Sequence, residues 1–80
     1  MSKELTISKL SVKDTARIVG FLGSVELHSR LVEMGFVPGV LIRLVKKSAF
    51  GGPVQLKVRD YYVSLRYADA EKIIVEKYII

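Results

Sequence analysis

Hydrophobic and polar positions alternate with a period of two over most of this chain, and one stretch breaks the rhythm. In residues 15–21, Ala16 and Ile18 fall on one side and Arg17 on the other, the pattern of a half-buried strand. After Pro38-Gly39, the positions Val40, Ile42 and Leu44 alternate with Leu41, Arg43 and Val45 as far as Lys46-Lys47. The segment Ser48-Ala49-Phe50-Gly51-Gly52-Pro53 carries turn chemistry, and beyond it Val54, Leu56 and Val58 alternate with Gln55, Lys57 and Arg59. These two runs predict a hairpin with Leu44 near Leu56. That register sets Arg43 and Lys57 together on the exposed face, with Arg59 nearby and Tyr62 beside them. Asp60-Tyr61 marks a tighter reversal into residues 62–66, with Val63 and Leu65 inward. Residues 68–71 are too few for a lasting helix and read as one helical turn. Ile73, Ile74 and Val75 form a closing strand, followed by Tyr78-Ile79-Ile80. At the front, residues 5–7 add a short strand, and Leu10 reads as a plug for one end of the fold.

The exception is residues 27–39. Leu27, Leu31 and Met34 share one helical face at i, i+4 and i+7. Ser24 is placed to cap the helix, and Glu26 in its first turn favours the positive end of the dipole. Gly35 stands where the helix needs a left-handed residue to stop, with Phe36 just beyond it packing back onto the last turn. Pro38-Gly39 then supplies a type II turn into the next strand. Short strands, tight turns and a single inserted helix in a chain of 80 residues predict a mainly β fold. The simplest account is a small SH3-like barrel of about five or six strands, closed to hide its edges and forming one domain over residues 1–80.

Composition narrows the function classes. Half the residues are hydrophobic, enough for one compact core. With no cysteine, neither a disulfide nor a thiolate metal site holds the chain together. The first residues lack the apolar run of a signal peptide, and no run approaches a membrane span, so no membrane insertion is expected. The formal charge of +5 and pI near 9.7 favour an anionic partner. The thirteen Lys and Arg residues are scattered rather than blocked, so the charge attracts nucleic acid, an acidic protein surface or anionic lipid headgroups alike.

The candidate chemistry is sparse. His28 is the one histidine, and no carboxylate at i+3 or i+4 orients its ring, so a catalytic triad is not expected. Glu26, His28 and Glu33 are spaced two and five apart, which does not present metal ligands on one helical face. Glu26, Arg30 and Glu33 do share a face and read as ion pairs along the helix. Gly51-Gly52 lies in a hairpin rather than ahead of a helix, which excludes a phosphate cradle. No cofactor site is visible. The basic face with Tyr62 reads as solvated surface first, and one outward aromatic falls short of an RNA-binding sheet. Phe50, at the tip of a glycine-rich loop, is a better candidate for protein contact than any single charge.

The segment Arg30-Leu31-Val32-Glu33-Met34-Gly35-Phe36-Val37-Pro38-Gly39 resembles the R-L-x-x-M-G-x-x-P-G element of the FeoA family, ferrous iron transport protein A. Ala16-Arg17-Ile18, Gly51-Gly52-Pro53, Leu65-Arg66 and Ala70-Glu71-Lys72-Ile73-Ile74-Val75 are similar to that family's strand, hairpin and closing segments in the same order. The resemblance therefore spans nearly the whole chain. It implies an SH3-like barrel and a non-enzymatic, cytoplasmic accessory of FeoB, the membrane transporter with a GTP-binding domain that moves ferrous iron. On that basis the expected contacts are Arg30, Glu33 and Phe36 at the helix end and Phe50 at the hairpin tip. Two positions depart from the family: Lys13-Asp14 and Asp60 stand where glycine is frequent. The same barrel occurs as a C-terminal domain of metal-dependent repressors, but no helix-turn-helix precedes it here, so a whole repressor is not expected. Two alternatives stay open, a small basic nucleic-acid-binding barrel and a direct ferrous-iron delivery protein. The apolar residues 78–80 allow pairing with a second copy or completion of the barrel.

Overall fold

A computed structural model describes residues 4–78. Six strands run in the order β1 (Glu4–Thr6), β2 (Thr15–Phe21), β3 (Leu41–Lys47), β4 (Val54–Val58), β5 (Tyr61–Leu65) and β6 (Ile73–Lys77). A 3₁₀ turn at Ile7–Lys9 follows β1, helix α1 (Val25–Glu33) separates β2 from β3, and the four-residue α2 (Tyr67–Ala70) separates β5 from β6. All pairings are antiparallel, in the spatial order β1-β6-β2-β3-β4-β5. The chain thus forms one curling sheet in which β1 and β6, from the two ends of the described chain, pair at one edge, and β2 and β3 lie at the centre.

The period-two runs explain this arrangement. Ala16 and Ile18 of β2, Ile42 and Leu44 of β3, Val54, Leu56 and Val58 of β4, and Ile73 and Val75 of β6 are all buried. Their in-between neighbours Arg17, Arg43 and Lys57 are exposed. Register is fixed because a slip of one residue would exchange those two sets. Leu44 pairs with Leu56 and Arg43 with Lys57, as the alternation predicts. Register shifts between Ile18 and Gly20, and between Leu44 and Lys46, mark bulges that increase local twist and help the sheet bend around its core. Leu10 is fully buried, as are Ile7 from the 3₁₀ turn and Leu31 from α1, so one cluster fills the interior from three directions.

Boundaries move by a residue from expectation. Strand β5 begins at Tyr61, and the reversal before it is Arg59-Asp60, with Arg59 at φ 55°. Of the two positions where glycine is frequent, the positive φ therefore falls on Arg59 rather than on Asp60. At the other, Lys13 itself takes φ 81°. There the Asp14 side chain supports the turn, its Oδ2 accepting the Ser11 N–H at 2.8 Å. Ile79 and Ile80, expected to extend the closing strand or pair with a second copy, lie outside the described residues.

Candidate functional site

Helix α1 is closed at both ends by side-chain and main-chain hydrogen bonds. Ser24 Oγ accepts the Leu27 N–H at 3.2 Å, the N-cap its position predicts. At the far end, Gly35 takes φ 102°, the Gly35 N–H donates to Val32 O and the Phe36 N–H donates to Leu31 O, both at 3.0 Å. This pair of bonds is the Schellman arrangement, which satisfies carbonyls the helix would otherwise leave open. A third bond comes from outside: the Tyr61 hydroxyl donates to Met34 O at 2.9 Å, tying the helix end to the edge strand β5.

That closure corrects one expected contact. Phe36 is fully buried, so it is core and not surface. The reason is the Schellman turn itself, which reverses the chain and drives the residue after Gly35 back over the helix into the interior. Arg30 and Glu33 remain exposed on the helix. Arg30 does not pair along the helix, however. Its Nη2 donates to Asp69 Oδ1 at 3.4 Å, while Arg66 Nε donates to Asp69 Oδ2 at 3.2 Å. Asp69 on α2 thus gathers two arginines beside the helix and leaves Glu33 projecting without an ion pair among the described residues.

Phe50 is fully exposed. Its loop is well defined: the Gly52 N–H donates to Ala49 O at 3.2 Å and the Ser48 N–H donates to Pro53 O at 3.1 Å. Phe50 and Gly51 both have positive φ, 58° and 72°. Those values belong to a type I′ turn, where asparagine or glycine is normal and phenylalanine is strained. His28 is structural, its Nε2 lying 3.3 Å from Leu22 O and its ring 5.2 Å from that of Phe21. Among the described residues, no three His, Cys, Asp or Glu side chains come together as metal ligands would.

On the outer face of the sheet, Thr15, Arg43, Lys57 and Tyr62 form one row across β2, β3, β4 and β5. Lys57 Nζ stands 6.0 Å from the centre of the Tyr62 ring. The alternation places Arg43, Lys57 and Tyr62 in this row; it does not bring in Lys13 and Val12. They arrive because the Lys13 N–H donates to Leu44 O at 2.7 Å and the Leu44 N–H to Asp14 O at 2.9 Å, stitching the turn to β3. Val12, Lys13, Arg43, Lys57 and Tyr62 then line a shallow hollow of about 290 Å³. Asp14 sits beside it with its carboxyl held below the usual range, chiefly by the Ser11 N–H and further by Lys77, whose Nζ is 3.4 Å from Oδ2.

Comparison with known proteins places this geometry. The FeoA domain model matches residues 5–77. A curated relative from Porphyromonas gingivalis, an Fe(2+) transport protein A/Fe(2+) transporter FeoB fusion protein, is 42% identical over 72 residues, which is 90% of this chain and 8% of that protein. This chain therefore spans less than a tenth of that relative. The solution structure of iron(II) transport protein A from Clostridium thermocellum is 38% identical, with TM-score 0.84 over 91% of this chain and 45% of the other. The crystal structure of Stenotrophomonas maltophilia FeoA complexed with zinc, described as a prokaryotic SH3 domain protein, is 31% identical with TM-score 0.74 over 89% of this chain and 88% of that one. The mainly β, SH3-like architecture agrees with these matches, and the chain belongs to the FeoA domain family.

Proposed function

We propose that this chain is a non-enzymatic accessory of ferrous iron uptake that docks on the cytoplasmic, GTP-binding part of a FeoB-type transporter and modulates its nucleotide or transport cycle. The observation that carries the reading is the 42% identical relative, a protein named as a fusion of Fe(2+) transport protein A with the Fe(2+) transporter FeoB. Covalent joining keeps two modules at high effective concentration, the arrangement expected when they act on each other.

The contact residues we propose are Arg30 and Glu33 on the helix and Phe50 on the β3–β4 loop. Phe50 has the strongest physical case. A phenylalanine at positive φ, with its ring wholly in water, opposes both local conformation and the hydrophobic effect. A folding role does not account for it, whereas an aromatic anchor for a partner pocket does.

The test is association of the purified chain with the transporter's cytoplasmic part, measured by calorimetry, alongside ferrous iron uptake in a strain lacking the chain. Binding that weakens on Phe50→Ser, with reduced uptake in the deletion strain, is the expected result. No association together with unchanged uptake would sink the reading.

A further inference from the structure

We propose that the outer face of β3, β4 and β5 is a docking surface for an anionic phospholipid bilayer, held at headgroup depth without insertion. The inference is independent of the transporter reading, since it rests on this face alone.

Three cations converge there. Lys13, Arg43 and Lys57 line one hollow, and none of them has an acidic partner among the described residues. Arg43 and Lys57 are held side by side by the β3–β4 register, so their charges lie one strand apart on a rigid support. Asp14, which lines the adjoining hollow beside Lys13, is engaged by the Ser11 N–H and by Lys77. An exposed cation row without counter-charge raises the local potential and favours an anionic surface.

The apolar groups decide which anionic surface. Tyr62 stands at the β5 edge of the row and Val12 on the turn beside it. On the far side of Lys13 a second hollow, of about 380 Å³, is lined by Leu41 and Tyr78 together with Lys13, Asp14 and Thr15. All four apolar side chains are exposed and separate from one another in sequence. A protein interface has an exposed apolar centre and a polar rim; here Leu44 is buried and Val45 half-buried in the lining, so the three cations and single exposed apolar side chains make up the accessible surface. Single-stranded nucleic acid binding needs a run of stacking aromatics, and here Tyr62 and Tyr78 line separate hollows, one in each. A bilayer surface suits both parts: its headgroups take the lysines and arginine, and its interfacial zone takes tyrosine and short aliphatic tips.

The experiment is co-sedimentation of the whole chain with vesicles of phosphatidylcholine, with and without phosphatidylglycerol, in low and high salt and with no transporter present. Partitioning should require phosphatidylglycerol and fall as salt rises, because the Debye length shortens from about 10 Å at 0.1 M. Each cation near an anionic surface is worth roughly five-fold in partitioning, so R43Q/K57Q should lower it on the order of 30-fold. K9Q/K72Q removes the same charge from exposed positions outside this face and should stay within about three-fold of the parent because of screening. Circular dichroism of both variants confirms that each is folded. V12S/Y62S should weaken binding while leaving its salt dependence unchanged. The proposal is overturned if phosphatidylglycerol makes no difference, or if the two charge variants lose binding equally. It is also overturned if millimolar glycerol 3-phosphate releases the chain, which would mark a small-anion pocket, or if a mixed-sequence RNA oligonucleotide does so through the same residues.

Discussion

Replacing Gly35 by alanine tests the closure of the helix most directly. Gly35 sits at φ 102°, and a Cβ built there would meet the Tyr61 hydroxyl head-on, with the ring carbon bearing it 3.1 Å away. Two costs follow. An L residue in the left-handed region loses about 1–2 kcal/mol. Displacing the hydroxyl forfeits its 2.9 Å bond to Met34 O, worth about 1 kcal/mol. Alanine returns about 0.5 kcal/mol through the lower entropy of the unfolded chain, which leaves Gly35→Ala about 2 kcal/mol less stable. A domain of this size has about 4–12 kcal/mol in total, so the melting temperature should fall by about 8–16 °C. Tyr61→Phe alone should cost about 1 kcal/mol, the lost hydrogen bond. In the double variant the obstructing oxygen is gone, so alanine adds only its conformational cost to the hydrogen bond already lost in Tyr61→Phe. The pair should be less destabilised than the sum of the singles by about 1 kcal/mol. Urea denaturation of the four proteins, with m-values checked for constancy, measures this cycle. Additive single effects, or a Gly35→Ala cost under about 0.5 kcal/mol, would refute the collision argument.

Phe50→Asn should gain up to about 1 kcal/mol in urea denaturation, because asparagine tolerates the positive φ at this turn, while weakening association with the transporter. A loss of stability there would mean the ring supports the fold after all. Phe36→Ala should cost about 3–5 kcal/mol as a cavity forms in the core, whereas Arg30→Ala, removing an exposed ion pair, should cost under about 1 kcal/mol. Asp14 titrates below its ordinary value of 3.8 when folded. Its contribution is therefore complete above that value and is lost as pH falls through the lower folded pKa. The stability gap between the parent and Asp14→Asn should be constant from neutrality down to mildly acidic pH and close below it. A gap that widens on acidification would contradict the assignment.

The parts of this fold that could be read from residues are those where local chemistry leaves one solution. Alternation at Ala16–Ile18, Ile42–Leu44 and Val54–Val58 fixed which face is buried, because a half-buried strand admits only one register. Ser24 and Gly35 announced the ends of the helix through the donors and φ that helix ends require. What escaped were outcomes settled by distant partners. Arg30 had two carboxylates on its own helix, yet it turns to Asp69, 39 residues away. Phe36 was expected both to pack back onto the last turn and to meet a partner, and its complete burial leaves only the first. Lys13 joined the basic face through a turn whose positive φ falls on a lysine, where residue type gives no warning. Tyr61 looked like turn sequence, although its pairing with the buried Val58 places it as the first residue of a strand. Family resemblance did supply the helix-and-turn motif as a unit, but that motif leaves the residue at Phe36 unspecified, and the expectation of a surface contact there is removed by its burial.

The hairpin between β4 and β5 has a consequence for how this chain can vary. Tyr61 and Tyr62 are adjacent, and the pleat sends one to the carbonyl at the helix end and the other to the open sheet face. The two-residue reversal at Arg59-Asp60 is what assigns those destinations. Most surface loops accept an inserted residue with little effect. Here a single insertion that shifted the β5 pairing by one would exchange the two tyrosines, uncapping the helix and stripping the face of its aromatic in one event. Loop length is therefore shared between two surfaces that have no contact with each other, and neither can be retuned by indel without the other.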